Sequence, residues 1–290
     1  MSRPVFVLGT GRCGSTLVHE VLARHPDVGF MTNLDDLGVA PSAAWQNALW
    51  RRLPARVTRK GGARFAPTEG YRALAREVGP VFVEPVRDLV GEDATPWLRS
   101  RVREFFARRA TRLDRPVFLH KLTGWPRAGL LDACLPEVVF VEIVRDGRAV
   151  ANSWLQMDWW RGHLGPAGWH FGPLPPELEE VWLESGRSFP VLAGIGWRIL
   201  EEAYDEARSL VPPERWIRVR YEDVVADPRG RFLELLTGMG LDWTPEFEAG
   251  FARYQFSDRR AEAFRSDLSA ADCAAVESVV GKHLAGLGYA

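Results

Sequence analysis

Cysteine is nearly missing from this chain: there are three in 290 residues, Cys13, Cys134 and Cys273. No two of them stand at metal-ligand spacing, and an odd, sparse set argues against a disulfide scaffold and for a reducing compartment. Long apolar runs are missing too. Met1-Ser2-Arg3-Pro4 leads straight into a short apolar strand, which is not the layout of a signal peptide, and no later stretch nears the length of a membrane span. The expected location is cytoplasmic, without stable membrane insertion. Charge of one sign is also lacking. With 37 Lys+Arg against 38 Asp+Glu the formal net charge is −1, so nothing global points to nucleic acid or an anionic membrane.

What is present is an ordinary folding composition, 46% hydrophobic and 26% charged, long enough for one α/β domain over residues 1–290. Four apolar, β-branched runs read as buried parallel strands: Val5–Leu8, Val117–Leu119, Val138–Val144 and Trp216–Val219. Between them lie helical patterns: one opens near Cys13 and presents Leu17, Val18, Val21 and Leu22, one begins at Ala149–Leu155, and one covers Ile195–Leu210. Alternating strands and helices imply a mostly parallel central sheet with helices on both faces.

Two stretches interrupt that rhythm. Residues 38–115 are rich in Arg, Trp and Pro and read as helical, with one short strand candidate at Val81–Val83; residues 156–190 carry Trp159, Trp160, Trp169 and Trp182 among many Gly and Pro. Insertions on such a core usually cover the ligand crevice, so both are expected to form a lid; the other reading is surface elaboration around a satellite core. The basic run Arg99, Arg101, Arg103, Arg108, Arg109, Arg112 and Arg115 could attract an anionic acceptor. It is read first as an amphipathic helix with a solvated face.

The strongest local signal is Gly9-Thr10-Gly11-Arg12-Cys13-Gly14-Ser15-Thr16, directly after a strand and opening a helix. Glycines allow the tight turn, and a helix N-terminus offers unsatisfied N–H donors to an anion. A triphosphate loop would need lysine at position 15, where Ser15 stands, so the only cation within the loop is Arg12. A second anion site follows the third strand, where Arg145 closes the strand and Ser153 lies two helical turns on.

Together these motifs resemble the sulfotransferases that use 3′-phosphoadenosine 5′-phosphosulfate (PAPS). In that family a [KR]-S-G-T-T element binds the 5′-phosphosulfate, matched here by Arg12-Cys13-Gly14-Ser15-Thr16, with Gly11 preceding it. An R-[DN]-P-x-x-x-x-x-S element grips the 3′-phosphate, matched by Arg145, Asp146 and Ser153 with Gly147 in place of proline. Arg220-Tyr221-Glu222-Asp223 matches a segment whose tyrosine lies near the adenine. The late Arg260, Phe264-Arg265, Leu268-Ser269 and Gly288-Tyr289 match a bacterial Arg-rich ending, which implies Arg260 or Arg265 beside the 3′-phosphate. The resemblance implies a P-loop-like fold, PAPS as donor, adenosine 3′,5′-bisphosphate as product and no metal. The acceptor would be a small molecule, lipid or glycan.

Sulfuryl transfer needs a base for the acceptor proton and cations for charge developing on the bridging and sulfonate oxygens. Arg12 and Lys121, which closes a strand, are the candidate cations. The cytosolic branch places its basic histidine where Thr123 stands, so the base is sought among Asp35, Asp36 and His120, in that order. Cys13, beside a helix N-terminus, would have a lowered pKa, yet the chemistry needs no thiol. Two other classes stay open: a P-loop kinase-like phosphotransferase, and a non-catalytic nucleotide-binding protein with this fold.

Overall fold

The structure is a computed structural model that describes residues 2–54, 64–259 and 261–289. Five strands, β1 (Arg3–Leu8), β2 (Val28–Phe30), β3 (Val117–Lys121), β4 (Val139–Val144) and β5 (Trp216–Arg220), pair in the order β2-β3-β1-β4-β5. Every pairing is parallel: Val5 of β1 lies opposite Leu119 and Val139, and Val141 of β4 opposite Ile217. Period-2 alternation sends successive side chains to opposite faces. Val5, Val7, Val139, Val141 and Ile143 pack on one side with Val18, Val21, Phe232 and Phe247. Phe6, Leu8, Phe118 and Phe140 pack on the other with Phe105, Phe106, Leu130 and Leu131. A third cluster joins Trp154, Trp160, Trp169 and Phe171 to helices 189–209 and 270–286 through Ile195, Trp197, Val276 and Val280.

The chain runs from β1 to β2, returns through β3 to β1's side, and then crosses to β4 on the far side. That reversal opens a crevice at the carboxyl end of β1, the usual ligand site of such sheets. Strand exits therefore decide which side chains meet there: Gly9–Gly14 after β1, Leu122–Thr123 after β3, Arg145 after β4 and Tyr221 after β5.

Two expectations are corrected. Val81–Val83 is not a strand but part of a helical turn, Pro80–Val83. Proline at its first position favours a helix start, and Phe82 is fully buried against the core rather than paired along a sheet edge. Conversely, β2 was not expected. It is only three residues long, directly after the His25-Pro26-Asp27 turn, and is held by pairing to β3 rather than by its own apolar pattern. The arginine-rich run forms helix 96–113 as expected, but Arg109 on it is buried. Among the described residues no helix is long and apolar enough to cross a membrane.

Candidate active site

The loop after β1 turns through positive φ at Gly11 (81°), Arg12 (58°) and Gly14 (95°), a region that favours glycine. At Gly14 sterics add a second reason: a Cβ there would lie 2.2 Å from the Tyr221 ring. Cys13 turns the other way. Its sulfur is buried below Gly9, where an added Cβ would lie 2.3 Å from it, and burial raises the thiol pKa despite the helix N-terminus beside it. The expected lowering is thus reversed, because the side chain faces the core.

The second anion motif folds onto the first. Arg12 Nε donates to Ser153 Oγ at 2.9 Å, and Arg145 Nη1 donates to the Arg12 carbonyl at 2.9 Å. The Arg145 guanidinium also lies 4.9 Å from the centre of the Tyr221 ring. Arg12, Gly14, Arg145, Ser153 and Tyr221, scattered over more than 200 positions, stand together because β1, β4 and β5 end side by side.

From β3 comes Lys121, whose Nζ donates to Thr16 Oγ1 at 2.8 Å and lies 3.3 Å from Glu69 Oε1. Glu69 is held from a second side by Thr123, whose hydroxyl donates to the same oxygen at 3.0 Å. Tyr71 braces Thr123: its hydroxyl accepts from the Thr123 amide at 3.0 Å and donates to the Thr123 carbonyl at 3.2 Å. Burial pushes the Tyr71 pKa up to about 12, so it stays a neutral donor. A carboxylate and an ammonium thus face each other at the mouth of the phosphate loop, beside the helix that starts at Ser15.

These groups line one end of a cavity of about 660 Å³. Its other end is walled by Val83, Pro85, Trp125, Trp154, Trp159 and Phe171, drawn largely from the two insertions. Residues 156–190 divide between the two alternatives: Trp160 and Trp169 fill a satellite core, while Trp159 and Phe171 line the cavity. Arg127 borders this end, but its guanidinium donates to the carbonyls of Phe82 (2.7 Å), Val83 (2.9 Å) and Trp125 (2.6 Å), tying the 80–88 segment to the β3 exit.

Residues 4–245 match the sulfotransferase family profile. The chain belongs to the sulfotransferase family. A curated relative, omega-hydroxy-beta-dihydromenaquinone-9 sulfotransferase Stf3 of Mycobacterium bovis, is 25% identical over 284 residues, a match covering 82% of this chain and 63% of the relative. The chain therefore spans less than two thirds of the curated relatives it matches, the equally similar protein of Mycobacterium tuberculosis included. Among solved structures, sulfotransferase STF9 from Mycobacterium avium is similar with a TM-score of 0.64 at 14% identity, covering 100% of this chain and 78% of that one. The sulfotransferase domain of the Synechococcus PCC 7002 olefin synthase gives 0.54 at 17% identity, covering 97% and 95%. At those identities the likeness is one of fold.

The carboxylates and histidine singled out in the sequence lie elsewhere. Asp35 accepts from Arg109 Nη2 at 2.8 Å and from the Ser42 amide at 3.0 Å. Burial works to raise its pKa, but the Ser42 amide and the Arg109 guanidinium outweigh that and hold it below the usual carboxylate range. Asp36 accepts from the Ala73 amide at 3.0 Å and so holds the first turn of helix 71–77. His120 is wholly buried, with its ring 5.3 Å from that of Phe106 and stacked at 6.3 Å on Phe118. Burial, with Arg109 and Lys121 nearby, drives its pKa down to about 3. None of the three lines the cavity. Arg265 is largely exposed, over the Phe264 ring at 5.1 Å and 3.8 Å from Glu262 Oε1, and Arg260 lies outside the described residues. Glu69 went unnoticed in the sequence; the one signal toward it was Thr123 in the histidine position, which leaves the base to come from another element.

Proposed function

We propose that the chain transfers a sulfuryl group from PAPS to a hydroxyl of an apolar, lipid-like or aromatic acceptor, with Glu69 as the base. The observation that carries this reading is the Glu69–Lys121–Thr16 contact at the junction between the anion-binding end and the aromatic end of one cavity. The residues fit the donor. Two sets of anion ligands stand a strand apart, the first around the N-terminus of helix 15–22 and the second at Arg145 and Ser153, and Tyr221 offers an aromatic face between them.

PAPS would supply the sulfuryl group and leave as adenosine 3′,5′-bisphosphate, the acceptor oxygen gaining the S–O bond that the 5′-phosphate loses. Glu69 would take the acceptor proton; its carboxylate is held by Thr123 and partly exposed to the cavity, so it can reach a bound hydroxyl. Lys121 is placed for charge growing on the bridging oxygen, and the amides at the start of helix 15–22 for the sulfonate oxygens. Arg12, tied to Ser153, belongs to the wall between the two anion sites rather than to the Glu69 side.

The acceptor class follows from the far end of the cavity. Its walls are aromatic, Glu84 lines it with Glu69 at the junction, and the guanidinium of Arg127 is engaged with backbone carbonyls. An anionic glycan would meet repulsion there, whereas a lipid alcohol would bury apolar surface. The Mycobacterium bovis relative is named for a hydroxylated menaquinone-type lipid, which agrees in class. Turnover of PAPS with a panel of prenyl alcohols, phenols and sugars tests the reading. Sulfated product from the alcohols or phenols is expected; binding of adenosine 3′,5′-bisphosphate with no product from any acceptor would favour the non-catalytic reading, and preference for ATP-Mg²⁺ the kinase-like one.

A further inference from the structure

One motif has no place in the chemistry above: Gly288-Tyr289. Tyr289 is only 8% exposed, and its ring lies under the Arg220 guanidinium at 4.1 Å, while Arg220 Nη1 donates to the Gly288 carbonyl at 3.1 Å. The phenol reaches past β5 and donates to Glu222 Oε2 at 2.6 Å. The other oxygen of that carboxylate, Oε1, accepts from the Asp146 amide at 3.3 Å.

Asp146 directly follows Arg145 and begins helix 147–155, accepting from the Arg148 amide and from its guanidinium, both at 2.8 Å. Glu222 directly follows Tyr221, whose ring fills the space left by Gly14 and supports Arg145. One carboxylate therefore joins the β4 exit to the β5 exit, and the Tyr289 phenol fixes that carboxylate from behind.

We infer that Tyr289 is a positioning residue for the second anion site, acting through Glu222 and the Asp146 amide to set the direction of Arg145. This rests on the reading of that site as the seat of the nucleotide's 3′-phosphate. A residue holding the fold in general would affect every nucleotide alike; one that aims Arg145 affects only ligands bearing a 3′-phosphate.

Tyr289→Phe removes the hydroxyl and leaves the ring under Arg220. Calorimetry on the full chain would compare adenosine 3′,5′-bisphosphate with adenosine 5′-monophosphate, together with the thermal midpoint of each variant. The bisphosphate is expected to weaken about fivefold, on the scale of coupling through a neighbouring network, with the monophosphate and the midpoint nearly unchanged. Glu222→Ala should weaken the bisphosphate at least as much, and Tyr289→Phe should add nothing on that background, since both cut one chain. Equal weakening of both nucleotides, or additive effects of the two substitutions, would overturn the inference. If the parent shows no preference for the bisphosphate, the nucleotide reading itself fails; if the parent prefers it and Tyr289→Phe keeps the full preference, only the positioning role fails.

Discussion

Asp35 and Glu69 are both carboxylates held by a cation within hydrogen-bonding reach, one just before the 38–115 insertion and the other within it. Asp35 meets Arg109 at 2.8 Å with side chains 7% and 3% exposed; Glu69 meets Lys121 at 3.3 Å with side chains 28% and 10% exposed. The first pair is closed. Its oxygens are taken by a guanidinium and a backbone amide, and Arg109 is in turn anchored to Glu77 at 3.0 Å. The second pair keeps a face toward the cavity. Proximity to a cation is common to both, so what separates a structural carboxylate from a chemical one is the capacity left over.

That contrast breaks most sharply at Glu69. Glu69→Gln keeps the shape and the bond to Thr123 but cannot take a proton, so kcat should fall on the order of 10³-fold with nucleotide affinity and thermal midpoint little changed. A fall below tenfold in single-turnover assays would return Glu69 to the structural class. The opposite signature belongs to Asp35→Ala. Removing one partner of a buried pair should cost about 3 kcal/mol in denaturant unfolding, because Arg109 is left undercompensated, while the folded fraction keeps its turnover. If turnover per folded molecule collapses instead, the two carboxylates are not separable. Arg145→Ala, at the far side of the cavity, should weaken adenosine 3′,5′-bisphosphate by about 2 kcal/mol in calorimetry, the scale of one charge-assisted bond, leaving unfolding nearly unaffected.

The smallest effect concerns His120, packed beneath both pairs. Its folded pKa, about 3, is far below the ordinary value of 6.5, so the unfolded chain takes up the proton first. Its contribution to stability is complete above pH 6.5 and is lost as pH falls from there toward 3. Roughly 1 kcal/mol should disappear between pH 7 and 5.5, and a Phe substitution should flatten that slope in pH-resolved unfolding. An unchanged slope would place the acid sensitivity elsewhere.

The gathering of the β1 loop, Arg145 and Tyr221, the proposed nucleotide end, was partly legible because its signals are local. The glycines, hydroxyls and helix start of residues 9–16 lie consecutively, and Arg145 and Tyr221 each follow a recognisable strand. Asp35 has only its nearness to the loop along the chain in its favour, which says nothing about which side of a helix or sheet a carboxylate faces. Glu69 carries no local mark at all: it precedes helix 71–77 in a segment without strand pattern, and becomes special only when Thr123 and Lys121 arrive from β3, more than 50 residues later. The charged run forms the helix that its spacing predicts, with Arg101, Arg103, Arg108 and Arg112 exposed. Sequence spacing showed its faces but not that Arg99 and Arg103 would donate to the carbonyls of Ala133 and Cys134.

Trp154 touches both ends of the cavity. Its indole N–H reaches the Gly11 carbonyl at 3.4 Å, and its face stacks on Phe171 at 5.3 Å, with both rings accommodated by the bare backbone of Gly196. The same rigid plate borders the phosphate loop and the aromatic wall. One buried ring is therefore shared as a wall by the two halves of the cavity. Swapping that plate for a smaller one would not merely loosen packing; it would remove a wall common to the phosphate-loop end and the aromatic end.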